Sequence, residues 1–503
     1  MKQYTQDWIG KWAVYSPDKV ALAEQGSDRR MTYGQLNRLG NRLANYFQDE
    51  LALVKGDRIA VVADNCLEYI VLFSAAQKAG LTLVPLNYRF TGKEIDYLLS
   101  NADPKLVIGE DKYQPLLDAA PMYKKIAHHW SLDDLQAFCD PAEEKPGDAH
   151  FELVPVDEND PIFILFTAGT TGFPKGALYT HKMLFWNSIN TAMSLIINTE
   201  SRTVNCMPPF HTGGWNVLTT PLLHHGGFIF LMKKFEPAEV LRLINEEKVS
   251  IFMGVPTMLK MMADEPAFES SDFSQLYYII VGGEPMPIPL IEKWHKKGVP
   301  IRQGYGMTEV GPNLTSLHQD DAVRKKGSIG RPNYYVEIKI VDEKGREMPA
   351  NQAGELLLKG PMVTPGYWKN EEATRKTIEE GWFHTGDRVR QDEEGYLFVV
   401  DRIKNMFISG GENVYPAEVE RALVAHPEVS EVAVIGVPDD RWGEVGHAFV
   451  VSVKGAKLSA ETLKEYCLEH LAKFKIPKHY SFLEALPKND AGKINKRILK
   501  EKS

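Results

Sequence analysis

The sequence predicts an α/β protein: a large N-terminal domain of packed α/β sheets carrying a β-rich subdomain, then a small α+β C-terminal domain. Three observations support this. Apolar strand-like runs alternate with helix-period runs from residue 58, the rhythm of parallel sheets covered by helices. The chain has 503 residues, more than one core usually supports, so two or more domains are expected. Short strands with glycine-containing turns begin near Val336, and a compact α+β pattern of about a hundred residues follows 401–405.

In chain order, 58–63 reads as a buried strand, 67–79 as a helix stopped by Gly80, and 81–86 as the next strand. A helical period at 94–100 precedes an extended piece at 105–109. The stretch 142–148, rich in charge with Pro146 and Gly147, reads as an exposed connection between two halves of the large domain. A strand at 162–166 follows, then a helix at 182–195 and strands at 202–207 and 228–232. A helix at 237–247 and strands at 249–253 and 277–281 continue the pattern. Strands at 337–341, 355–359 and 396–400 form the β-rich part. Beyond residue 401 come a helix at 416–424, strands at 432–437 and 447–453, and a helix at 459–472. The domains are therefore expected at 1–401 and 402–503.

Residues 167–176 hold three Gly, three Thr and one Lys directly after a buried strand. Such a segment packs poorly and suits a phosphate cradle, with close backbone N–H groups, hydroxyl donors and one cation. It is no Walker A loop, because Lys175 leads into another apolar run rather than a helix, so the cradle is expected to bend between two strands.

Composition is that of a globular protein, 44% hydrophobic, 25% charged and 10% aromatic. A net charge of −9 gives no electrostatic reason to expect nucleic acid or an anionic membrane as partner. Cys66, Cys139, Cys206 and Cys467 show no metal-ligand spacing and read as buried free thiols, which fits a cytoplasmic setting. No apolar stretch is long enough to span a bilayer, and the N-terminus lacks a signal-peptide pattern.

Six blocks stand in register: 167–176, Pro209-Phe210-His211, 304–309, Thr385-Gly386-Asp387, Asp401-Arg402 and Gly492-Lys493. Their order and spacing resemble the adenylate-forming enzymes, the superfamily of acyl-CoA synthetases, peptide-synthetase adenylation domains and firefly luciferase. Within it the chain is similar to bacterial fatty-acid or aryl-acid CoA ligases. The resemblance implies a mobile small domain and a two-step reaction. A carboxylate attacks the α-phosphorus of ATP to give acyl-AMP and pyrophosphate, and the thiol of coenzyme A then displaces AMP. It also implies Mg²⁺.

Carried over residue by residue, Thr167, Gly169, Thr170, Thr171, Gly172 and Lys175 would hold the phosphates. Ala168 replaces the family's usual Ser, removing one donor. Tyr305 would stack on adenine within Gly304-Tyr305-Gly306-Met307-Thr308-Glu309, with Thr308 at the α-phosphate and Glu309 as the Mg²⁺ carboxylate. Gly282, Gly283 and Glu284 would wall the adenine and acyl pockets. Asp387 would accept both ribose hydroxyls, and Arg402 would add a ribose or phosphate contact. Lys493 is the expected catalytic cation, bridging the substrate carboxylate and the α-phosphate. His211 would stand at the gate between acyl and CoA channels. Lys404 matches the hinge, with Gly410 and Gly411 leaving room for the pantetheine arm.

His211 stands where amino-acid-activating domains place an Asp, so an α-ammonium would be left unpaired and amino acids are disfavoured. Trp215, with Gly282 and Gly304, would line the acyl pocket and favours a medium or long fatty acid. A hydroxycinnamate or other aryl acid is the alternative. A nucleotide-binding paralogue without catalysis is disfavoured by the presence of Glu309, Asp387 and Lys493.

Overall fold

The computed structural model describes residues 6–145, 148–167, 174–409, 412–489 and 492–502. Its first sheet has six strands in the spatial order His128–Ser131, Leu106–Gly109, Arg58–Val62, Thr82–Pro85, Pro161–Thr167, Lys175–Thr180. The first five run parallel and the last antiparallel, so Thr167 faces Lys175 across the mouth of the Gly/Thr segment. Residues 168–173 of that segment, including Gly169, Thr170, Thr171 and Gly172, lie outside the described residues.

Parallel strands need cover on both faces, and the helix Leu67–Ala79 shows how completely it is supplied. All thirteen of its residues are buried, including Glu68 and Lys78. Each charge is paired: Glu68 with Arg29, and Lys78 with Asp7 at 2.7 Å and Asn37 at 2.8 Å. Gly80 ends the helix in the left-handed conformation, φ 66°.

A second sheet orders Arg30–Thr32, Val20–Glu24, Phe228–Leu231 and Arg202–Asn205. In a third, Ile251–Gly254, Tyr278–Val281 and Ile301–Met307 run parallel, and Gly311–Ser316 and Arg331–Pro332 join antiparallel. The strand from Ile301 continues through Gly304 to Met307, so the Tyr305 motif is mostly strand, closed by a one-turn helix Thr308–Val310. Gly306 is obligatory there, since a Cβ would meet Pro312 backbone at 2.3 Å. The β-rich part is an antiparallel sheet of Glu337–Val341, Ala353–Lys359, Trp382–Gln391 and Ile378–Glu379, with Leu397–Arg402 on the long third strand.

From Phe407 the chain builds cores from its own residues. Val432 and Val434 on strand Val429–Asp439 face one core while Ala433 and Ile435 face the other, so this strand is covered on both sides. All four cysteines are buried and free.

The expected exposed connection at 142–148 needs correction at its end. Asp148 is buried and takes Arg42 in a two-pronged ion pair, Nε–Oδ1 2.6 Å and Nη2–Oδ2 2.7 Å. Arg42 also donates to the carbonyls of Phe138 and Asp140, so a buried charge pair pins this segment to the helix Tyr33–Asp49.

Candidate active site

Strands of the large domain position most of the side chains that the motifs single out. Asp387 lies on strand Trp382–Gln391, 3% exposed, with Arg402 opposite on the next strand. Tyr305 donates its hydroxyl to Asp387 Oδ2 at 2.6 Å. Arg402 Nε stands 2.8 Å from Oδ1, but its N–H does not point at that oxygen. Oδ1 is therefore a buried acceptor that is ion-paired with Arg402 but takes no hydrogen bond among the described residues. Burial and the adjacent Asp387 hold the Tyr305 phenol well above its ordinary value, so it stays a donor.

The strand residues leading into Asp387 are fastened by Glu355, which the motifs did not reveal. Its Oε1 accepts Gly386 N–H at 3.1 Å and its Oε2 meets His384 Nδ1 at 3.1 Å, while Thr385 Oγ1 donates to Leu356 O at 2.7 Å. Gly386 has φ +69°, which a glycine accepts without strain.

On the phosphate side, Glu309 Oε1 accepts from Thr167 Oγ1 at 3.2 Å and from Tyr367 OH at 3.0 Å. Lys175 Nζ lies 5.4 Å from the centre of the Tyr367 ring, a cation–π contact. Tyr367 thus joins the cradle lysine to the carboxylate, another residue the motifs did not reveal. The only sequence signal was an aromatic pair after Pro365-Gly366. Glu309 Oε2 takes no hydrogen bond among the described residues. Nor do the described residues hold any cluster of three His, Cys, Asp or Glu suited to a metal. A cation here would have one protein carboxylate and must complete its shell from phosphate and water, which is the habit of Mg²⁺.

Lys493 reaches the cleft from the small domain. A Cβ on Gly283 (φ +88°) would stand 3.4 Å from Lys493 Cε and 3.9 Å from its Nζ, so the lysine crosses a position kept bare. Its Nζ makes no hydrogen bond or ion pair among the described residues. Burial and then Arg402 lower its pKa, while Glu284 and Asp387 oppose the shift. Burial, with Lys493 and Arg89 adding, brings His211 down to about 4, so the imidazole is neutral at pH 7. His211 Nε2 is buried with no partner among the described residues. His211, Lys493, Arg402, Asp387 and Glu284 thus form one electrostatic cluster.

Trp215, expected to line the acyl pocket, sits among buried aromatic side chains. It is 2% exposed, packs against Tyr69, Phe73 and Phe163, and donates to Pro209 O at 2.7 Å. Gly282 and Gly304 border open space: added Cβ atoms would meet only Gly304 O at 3.9 Å and Thr315 O at 3.4 Å. Lys404 is exposed on the one-turn helix Ile403–Asn405, between the last strand of the large sheet and Phe407–Ser409. Gly410 and Gly411 lie outside the described residues.

Comparison with known proteins establishes the family. Residues 10–368 match the AMP-binding enzyme family, and residues 418–493 match the AMP-binding enzyme C-terminal domain. The chain belongs to the AMP-binding enzymes, the adenylate-forming superfamily that its motifs resemble. It is 36% identical over 492 residues to feruloyl-CoA synthase of an Amycolatopsis species, covering 97% of each chain. It is 38% identical over 501 residues to a long-chain-fatty-acid–CoA ligase of Mycobacterium tuberculosis, covering 97% of this chain and 96% of the relative. The o-succinylbenzoate CoA synthetase of Bacillus subtilis, solved with its acyl-adenylate, superimposes with a TM-score of 0.87 at 31% identity over 98% of each chain. The same enzyme solved with ATP and magnesium ion gives a TM-score of 0.85 at 30% identity, over 98% of this chain and 99% of that one. The present chain is an AMP-forming acyl-CoA synthetase. No helix among its described residues is long and apolar enough to cross a membrane.

Proposed function

We propose that this enzyme activates a medium- or long-chain fatty acid as its adenylate and passes it to coenzyme A. The observation that carries the choice of acid is the character of the lining beside the His211 helix, where Thr203, Asn205, Met207, Gly213, Thr219 and Met253, among others, surround a void of about 10 Å³, room for a single water. Its polar walls are already satisfied. Asn205 Nδ2 donates to Gly214 O at 2.9 Å and Thr219 Oγ1 at 3.0 Å, its Oδ1 accepts Met207 N–H at 3.0 Å, and Thr219 Oγ1 donates to Gly214 O at 2.8 Å. The amide hydrogens of Asn205 and the hydroxyl hydrogen of Thr219 are spent on these bonds, so a ring oxygen would find no donor among them and a ring hydroxyl would have only their remaining lone pairs. An alkyl chain has no such demand. The space is narrow, but Met207 and Met253 close it with flexible thioethers whose methyls would lie 3.5 and 3.8 Å from a Cβ on Gly213. Such side chains yield to a chain more readily than branched ones.

In the first step Lys493 approaches both the acid carboxylate and the α-phosphate, offsetting their repulsion as charge gathers on phosphorus. Asp387 holds the ribose through Oδ1, which takes no hydrogen bond among the described residues, and Tyr305 offers its ring to the adenine. Thr167 and Lys175 contact the phosphates, together with the 169–172 segment. Glu309 would hold Mg²⁺, which supplies charge neutralisation on the phosphate oxygens when bound. Tyr367 and Thr167 fix the Glu309 carboxylate for that role. The docked Lys493 corresponds to the adenylating arrangement. Rotation about Lys404 would withdraw it and present the Gly410-Gly411 face to pantetheine, with His211 at the entrance. The large domain then comprises 1–401 and the small one 402–503.

The test is a panel of acetate, hexanoate, dodecanoate, benzoate and ferulate with ATP, Mg²⁺ and coenzyme A, following AMP release. Hexanoate or dodecanoate should give the highest kcat/KM. A preference for ferulate or benzoate would overturn the fatty-acid assignment.

A further inference from the structure

We infer that Glu284 is a positioning residue that seats the Lys493 loop by binding its backbone across the domain interface. This rests on the proposed role of Lys493. Glu284 closes the turn after strand Tyr278–Val281, directly after the bare Gly283 that Lys493 crosses. Its Oε1 accepts the N–H of Ile494, one residue past the lysine, at 3.3 Å. Fixing that amide fixes the direction in which the residue-493 side chain leaves the backbone. A misplacement of about 1 Å in a catalytic group can cost on the order of 100-fold in rate, so the anchor is worth having close by.

The geometry also separates two roles a carboxylate could play here. Among the described residues no ion pair joins Glu284 to Lys493, although each influences the other's charge. Glu284 therefore grips the loop by its main chain and leaves Nζ available to substrate. Burial raises the Glu284 pKa, and Lys493, the Ile494 N–H and Lys488 counter it. Other cross-domain hydrogen bonds, among them Lys260 to Ser430 at 3.1 Å, Lys488 to Thr257 at 3.5 Å and the Ala417 N–H to Asp401 at 2.8 Å, lie farther along the chain from the lysine. They hold the domain, whereas Glu284 aims the side chain.

The two half-reactions distinguish this from a general structural role. Each would be measured on the full-length enzyme with the panel acid turned over fastest and with its synthetic adenylate. Glu284→Ala should lower ATP–pyrophosphate exchange by about 10- to 100-fold, the range for losing one hydrogen bond to a charged group. It should lower thioester formation from supplied acyl-AMP and coenzyme A far less, so that the ratio of exchange to thioester rate falls. Glu284→Gln retains an acceptor for Ile494 N–H and should recover most of the exchange. Undiminished exchange in Glu284→Ala, or equal loss of both half-reactions, overturns the inference. Lys493→Ala run alongside separates the two failures. If it loses exchange while Glu284→Ala does not, only the anchor is wrong; if it keeps exchange, the role of the lysine fails and the anchor with it.

Discussion

Replacing Lys493 by Ala removes the one cation that the small domain brings over Gly283. The structure permits a separate estimate for stability and for rate. The side chain makes no hydrogen bond or ion pair among the described residues. Its backbone keeps both contacts with Asn489, the N–H donating to Oδ1 at 2.9 Å and the carbonyl accepting N–H at 2.7 Å. Fold stability should therefore change by no more than about 0.5 kcal/mol. Rate is different, because loss of a pre-positioned donor at a developing anion costs about 10² to 10³, or roughly 3 to 4 kcal/mol. The assay is exchange of labelled pyrophosphate into ATP with acid but without coenzyme A, set beside thioester formation from supplied acyl-AMP. Exchange should fall by that factor while thioester formation stays within a few-fold of the parent. Equal loss in both would show that Lys493 supports the fold or the thiol step, and would refute the reasoning.

Asp387→Ala removes the buried acceptor of the Tyr305 hydroxyl and the proposed ribose ligand, so the KM for ATP should rise about 10- to 100-fold. Initial rates against ATP concentration check this, and an unchanged KM contradicts it. Gly304→Val should fit the backbone, since a Cβ meets only Thr315 O at 3.4 Å, yet fill acyl space; kcat/KM for dodecanoate should fall at least about tenfold relative to hexanoate. Parallel loss for both acids would place the side chain elsewhere. Burial lowers the His181 pKa from 6.5 to about 4, and the residue is 0% exposed. The unfolded chain therefore binds the proton first, and stability present above pH 6.5 is lost as pH falls toward 4, about 2 kcal/mol by pH 5 from this group. Denaturant unfolding at pH 7.5 and pH 5 should show a smaller loss in His181→Gln than in the parent; an equal loss in both contradicts it.

Much of the fold was legible because the central strands are uniformly apolar. The expected strand at 58–63 became Arg58–Val62, and the helix ended by Gly80 ran Leu67–Ala79 as read. The first fifty residues were not legible, although they hold the helices Trp8–Tyr15 and Tyr33–Asp49. The inward face of the second carries Asn41 and Arg42, whose burial depends on the Asp148 carboxylate and carbonyl far along the chain. No local pattern shows such a pairing. The same holds for the site. Motif residues such as Asp387 and Glu309 could be named because their spacing resembles a known family. Tyr367, Glu355 and the anchoring contact of Glu284 act through other residues, and only the folded chain brings them to those partners. The core packing of Trp215 was not legible for the same reason, since its aromatic neighbours Tyr69, Phe73 and Phe163 come from distant elements.

The central claim is that a carboxylic acid is activated on AMP before coenzyme A takes part. The most direct measurement is pyrophosphate exchange by the unmodified enzyme with ATP, Mg²⁺ and dodecanoate, in the absence of coenzyme A. Label should enter ATP only when the acid is present. Absence of exchange with every acid of the panel, or exchange that requires coenzyme A, would contradict the account.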